Sequence, residues 1–357
     1  MWQARRASWG RGLLLGLLAL AVVAVGATPV QRAAAAADAA SVPRPAPQAE
    51  RVRVGFLKVL GEAPMVLARE RGYFAAEGID VELVDFAVTA DALPPLGTGQ
   101  LDVITGGLNP AVFNAVARGV GVKIVADGGS VGPDNDYLAL VVRRELVDNG
   151  RYRGPVDLRG LRIAVPGPYA VVHYVLKVLL DQQGLSLADV DVVPVSMADH
   201  ASAVSRGAVD AAFSVEPFVS QAVRLGAVRV LGAHEVTPNL TGGITLYSPA
   251  FPARAPELAE RYLVAWLRGV ADYNAAFGPD RRDTESAVQL LRERGIIVDP
   301  TTQLPGFRAD GRFDVEGMRG MLDWYVAEGV VPPGIDLATV VDFQYVDRAA
   351  QRLGVRR

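Results

Sequence analysis

The chain of 357 residues contains no cysteine. That excludes disulfides, a thiolate metal site, a cysteine nucleophile and lipid attachment through sulfur. Histidine is nearly as scarce: His173, His200 and His234 are far apart and show no spacing that would bring two rings onto one metal ion. Lysine occurs only as Lys58, Lys123 and Lys177 against 33 arginines. The sequence has no Gly-rich phosphate loop of the P-loop kind, no Ser-His-Asp order and no His-Glu metal spacing, so neither a reaction nor a cofactor is expected. A membrane span is also missing, because the apolar run from Leu13 to Ala27 has 15 residues, short of the roughly 20 that cross a hydrocarbon core.

That short run sits where export signals sit. Arg5, Arg6 and Arg11 precede it, no acidic residue occurs before Asp38, and Val25 and Ala27 supply the small side chains of a cleavage site. The layout predicts a secretory signal over 1–37, removed on export, with the product outside the cytoplasm. A flexible leader is expected over 38–50, where SVPRPAPQAE offers no periodic apolar positions. Losing four arginines with the signal changes the formal charge from −3 to −7, which argues against nucleic acid as a partner. About 300 residues remain, more than one core usually takes, so two lobes are the expectation.

From Arg51 onward short β-branched runs alternate with helical stretches, the pattern of βαβ units and an α/β fold. Strands are predicted at 52–56, 80–85, 103–105, 122–126, 138–143, 162–165, 191–195, 211–214, 228–231 and 243–247. Beyond Tyr247 the pattern becomes long amphipathic helices, near 256–277, 282–294, 315–328 and 346–353. Four units share one construction: a strand, a short loop ending in proline, and a helix running to a glycine. They are VRVGFLKVLGEAP with Gly72, VITGGLNP with Gly119, IAVPGP with Gly184 and AAFSVEP with Gly226. Proline suits a first helical position and glycine the position just past the end. The expected N-caps are therefore Ala63, Asn109, Gly167 and Glu216. Helix starts at the C-terminal edge of a sheet receive ligands, and their free N–H groups favour anions.

The stretch ARERGYFAAEGIDVELVDFAVTADALPPLGTGQLDVITGG resembles the nitrate, sulfonate, taurine and bicarbonate family of ABC-transporter periplasmic substrate-binding proteins. The segments VEPF, GRFDVEGMRGMLDWYVAEG and VDFQYVDRAAQRLG are similar to that family as well. The resemblance implies the two-lobed type II periplasmic-binding-protein fold, each lobe a mostly parallel sheet flanked by helices, with a cleft between the lobes. It implies one lobe from 51–140 and 246–357, a second from 141–245, and a periplasmic monomer that delivers its ligand to an ABC permease and its ATPase.

Within such a cleft the ligand-binding candidates are Lys58, a mobile cation after the first strand; Gly106, Gly107, Leu108 and Asn109, whose glycines let backbone approach a ligand; and Tyr137 and Thr241 at the crossings between lobes. Gly167, Tyr169, Ala170 and His173 form the counterpart loop and helix start on the second lobe, and Glu216 precedes Pro217. Convergence of helix starts on a lysine points to a small organic anion such as an alkanesulfonate or taurine. Tyr137, Tyr169 and Phe218 point instead to an aromatic or pyrimidine-type thiamine precursor. A biosynthetic enzyme on the same fold is the remaining alternative, but the pyrimidine-synthesising relatives depend on a cysteine-rich motif that this chain lacks.

Overall fold

The computed structural model describes residues 49–238, 240–299 and 302–355, so the expected signal and most of the leader lie outside the described residues. Ten strands form two five-stranded sheets. They are β1 (Glu50–Phe56), β2 (Ile79–Asp85), β3 (Val103–Gly107), β4 (Lys123–Asp127), β5 (Leu138–Val142), β6 (Arg162–Val165), β7 (Asp191–Pro194), β8 (Ala211–Val215), β9 (Val228–Gly232) and β10 (Gly243–Tyr247). The first sheet has the order β2-β1-β3-β10-β4 and the second β7-β6-β8-β5-β9.

Each sheet is parallel except for one strand. β10 runs antiparallel to β3 and β4, and β5 runs antiparallel to β8 and β9. These are the two strands that the chain enters after crossing from the other sheet. Sheet membership places β5 wholly in the second lobe and β10 wholly in the first. The boundaries expected after 140 and after 245 therefore fall inside these strands, and the crossings lie a few residues earlier.

The crossing segments are hydrogen-bonded to one another. Val131 N–H donates to Leu240 O at 2.9 Å, Gly242 N–H to Gly129 O at 3.0 Å, and Gly128 N–H to Gly243 O at 3.0 Å. A third segment joins them through reciprocal bonds between Ser130 and Gly306, each 3.0 Å. Backbones approach closely here: a Cβ on Gly128 would lie 2.4 Å from Ile244 N.

The long helix Pro256–Phe277 closes the first lobe. Its buried Leu258, Tyr262, Leu263, Trp266 and Val270 pack with the helix Ala63–Glu70 and with Val52 and Val54 of β1. The helix Val315–Ala327 lies between lobes. Tyr325 meets Phe113 of the first lobe at 6.1 Å between ring centroids, and Trp324 meets Tyr174 of the second at 5.8 Å.

The proline-to-glycine construction holds in part. Gly72, Gly119, Gly184 and Gly226 each follow a helix end in the left-handed region, with φ of 75°, 80°, 68° and 99°. Of the starts, Asn109 is the cap expected: its Oδ1 accepts from Ala111 N–H at 2.9 Å, and the helix runs Pro110–Ala117. Ala63 is already helical and Glu62 is the cap residue. Gly167 caps nothing, because Tyr169 has φ 61° and the helix Val171–Gln182 starts beyond it, at Ala170. Glu216 is joined to Pro217 by a cis peptide bond, and the helix starts at Phe218.

Candidate functional site

A cavity of about 520 Å³ opens between the two sheets. From the first lobe, Leu57 to Gly61 follow β1, Val88 to Ala90 follow β2, and Gly106 to Asn109 end β3 and cap its helix. The second lobe contributes Ala170 to Val172 at a helix start, Met197 after β7, and Val215 to Phe218 after β8. Gly128, Tyr137, Gly242 and Gly243 of the crossings form its floor, and Gly295 to Ile297 with Pro305 its rim. Most of these positions lie at C-terminal strand ends, where open α/β sheets place ligands.

Eight candidates come together here: Lys58, Gly106, Gly107, Leu108, Asn109, Tyr137, Ala170 and Glu216. Gly106 has a specific cause, since a Cβ there would meet Thr89 Oγ1 at 2.3 Å. Four candidates stand away from the cavity wall: Gly167, Tyr169, His173 and Thr241. Tyr169 stacks instead on Trp324, 5.2 Å between centroids, and its carbonyl accepts from Tyr325 Oη at 2.9 Å. His173 Nδ1 accepts from Tyr169 N–H at 3.0 Å, which puts the ring proton on Nε2. Burial holds the His173 pKa below its ordinary value, although Glu328 acts in the opposite direction. Thr241 is fully buried in the crossing, with Oγ1 3.4 Å from Asp314 O.

The polar side chains that do line the cavity are largely engaged with the protein itself. Lys58 Nζ donates to Asp85 Oδ2 at 2.6 Å. Asn109 is consumed by its cap and by a bond from Nδ2 to Gly107 O at 3.0 Å. The Glu216 carboxylate accepts from Ser220 N–H and Ser220 Oγ, both at 3.0 Å. Burial pushes the Glu216 pKa up, while those Ser220 bonds oppose the shift. Thr105 pairs with Thr245 at 3.1 Å. Only the Thr89 and Tyr137 hydroxyls hold no hydrogen bond to a described residue. Burial, with the neighbouring Asp127 charge, pushes the Tyr137 pKa far up, so this phenol stays a donor. The cavity accordingly presents aliphatic carbon and glycine backbone over most of its wall, the composition of a site for a small organic molecule.

Behind the floor, Asp127 is fully buried at the end of β4, where it accepts from Gly129 N–H at 2.9 Å and from Ser130 Oγ at 3.0 Å. Desolvation raises its pKa to about 7, against the pull of those bonds and of Arg308. Among the described residues no group of three or more carboxylates or histidines is arranged to hold a metal ion.

Sequence reasoning missed several walls. Val88 to Ala90 and Met197 follow strand ends and were findable by the same rule that selected Gly106 and Glu216. The rim Gly295 to Ile297 carries no such signal, because it follows a helix.

Two mixed sheets flanked by helices, joined by a hydrogen-bonded pair of crossings with a cavity between them, define the two-lobed periplasmic-binding-protein fold. The chain belongs to the NMT1-like family, whose model matches residues 45–276, and with it to the nitrate- and sulfonate-type ABC substrate-binding proteins that its sequence resembles. It is 30% identical over 273 residues to the riboflavin-binding protein RibY of Chloroflexus aurantiacus, covering 73% of this chain and 74% of that one. It is 26% identical to a putative aliphatic sulfonates-binding protein of Bacillus subtilis, over 85% of this chain and 89% of that one. The fold matches the periplasmic aliphatic sulphonate binding protein SsuA of Escherichia coli with a TM-score of 0.64 at 21% identity, over 82% and 92% of the two chains. The protein is a solute-binding component of the ABC import type, and no helix among its described residues is long and apolar enough to cross a membrane.

Proposed function

We propose that the protein is exported, captures a mainly apolar aromatic heterocycle of flavin-like size between its lobes, and hands it unchanged to an ABC permease driven by its ATPase. The observation that carries this reading is the wall of the 520 Å³ cavity, which is aliphatic and glycine-rich, with its lysine already neutralised by Asp85. A taurine-sized anion would leave most of that volume unfilled and most of that apolar surface wet. A planar ring system would cover it, with Tyr137 Oη and Thr89 Oγ1 available as hydrogen-bonding groups for ring nitrogens or carbonyls. The riboflavin-binding relative supports the same class.

An alkanesulfonate is the second reading. It is favoured by the start of the Val171–Gln182 helix, which faces the cavity through Ala170 to Val172 and has no side-chain cap. A thermal-shift panel of riboflavin, lumichrome, a thiamine pyrimidine, taurine, hexanesulfonate and nitrate separates the two. Ligand at a hundredfold excess over Kd stabilises by about 2.7 kcal/mol. The flavins or the pyrimidine should give the largest shift, and a shift from taurine or nitrate alone would defeat the proposal. The export part is checked by the mass of the protein recovered from the periplasm, which should begin between Thr28 and Ser41.

A further inference from the structure

Lys58 is the cationic side chain of the cavity wall, and the fold ties it to a carboxylate before any ligand arrives. β1 and β2 are parallel neighbours with Phe56 opposite Asp85, and β2 ends on that aspartate. Lys58 comes two residues after Phe56, so its side chain leaves the sheet at the edge where Asp85 already stands. The Lys58 backbone has φ 56°, and its stem lies along Gly295, where a Cβ would come within 3.4 Å of Lys58 Cδ. Both members of the pair are about half exposed, with side-chain accessibilities of 49% and 62%. The other ionisable group that could offset or add charge, Glu216, is a carboxyl. An incoming anion therefore meets a neutralised lysine on one lobe and a carboxyl group on the other.

Resting on the aromatic-solute reading above, we infer that Asp85 sets the charge selectivity of the cleft: by holding Lys58 it favours neutral solutes and discriminates against their anionic counterparts. Asp85 is a positioning residue. It lies outside the cavity wall and acts through the ammonium that it holds. An anion that reaches Lys58 must share its ammonium with Asp85 or displace it, and in either case it sits beside a carboxylate that offsets the lysine charge. The pair itself contributes little to folding at this exposure, so removing the carboxylate should leave the fold intact.

The experiment compares riboflavin with riboflavin phosphate, which share one ring system and differ by an anionic group, on the mature protein and its variants. Wild type should bind the phosphate about tenfold more weakly. Asp85→Asn should narrow that gap by about threefold to tenfold while leaving riboflavin affinity unchanged, and the narrowing should fade as salt is raised. Adding Lys58→Met to Asp85→Asn should abolish the gain, which a merely structural role for Asp85 would not do. An unchanged ratio in Asp85→Asn overturns the inference. If wild type binds neither flavin, the aromatic reading has failed separately, and hexanesulfonate against hexanol makes the same comparison. A stronger sulfonate affinity in Asp85→Asn would then uphold the role of Asp85, whereas unchanged affinity, or no binding of either probe by any variant, would overturn it.

Discussion

Asp127 shows what burial does to a single group. Its carboxyl has no exposed surface and is held between Gly129 and Ser130 of the first crossing, with its pKa up at about 7 from an ordinary 3.8. The folded chain thus binds this proton more tightly than the unfolded chain. Its contribution is complete below about pH 4 and is lost as pH rises toward 7. Thermal unfolding measured across that window should show Asp127→Asn flattening the decline, with the variant gaining on wild type as pH rises. A parallel offset at every pH would mean that Asp127 is ionised throughout. At this scale the sequence is legible only where the chemistry is local. Asn109 sits two residues from the amide that it caps, and the Asn-Pro pair announces it. The sequence points Tyr169 and His173 at the cavity because nothing near them reveals Trp324 and Tyr325, about 150 residues further along, which take up their rings.

Among elements, the four proline-bounded units give a contrast that can be measured. Asn109 makes its cap bonds, and Asn109→Ala should cost about 1 kcal/mol in denaturant unfolding. Gly167 caps no helix and has open space where a Cβ would go, so Gly167→Ala should fall within about 0.5 kcal/mol of wild type. Equal losses would restore the symmetric reading of the two loops. Gly128→Ala should be far worse, at least about 3 kcal/mol, because its Cβ would meet backbone of β10 at 2.4 Å and neither crossing can give way alone. All ten strands were legible because β-branched runs between turn residues are a strong periodic signal. The helix starts after Gly167 and Glu216 were not, because tertiary contacts at Tyr169 and the Glu216 to Ser220 bonds set where those helices begin.

For the whole molecule, the crossings and the cavity are one construction. Gly128, Gly242 and Gly243 belong to the hydrogen-bonded crossing pair and, with Tyr137 at the end of the first crossing, also line the cavity, so a ligand touching them touches the joint between the lobes. A solute that contacts both walls favours their approach, provided that it binds the closed arrangement more tightly. Small-angle scattering should show compaction on ligand addition, and a saturated protein with unchanged dimensions would contradict it. The two-lobed architecture was legible in the sequence, while the apolar character of the cavity was not. Its neutralised lysine depends on the β1 to β2 register, and its rim on a loop that follows no strand.

The most direct test of the central claim is titration calorimetry of the mature protein with riboflavin and with taurine, at several temperatures and two salt concentrations. Burial of an aromatic ring in an apolar cavity predicts saturable riboflavin binding with a negative heat-capacity change and little dependence on salt, and no detectable taurine heat. Taurine binding that weakens steeply with salt, with riboflavin silent, would show instead that Lys58 and the helix starts, not the apolar wall, define the site.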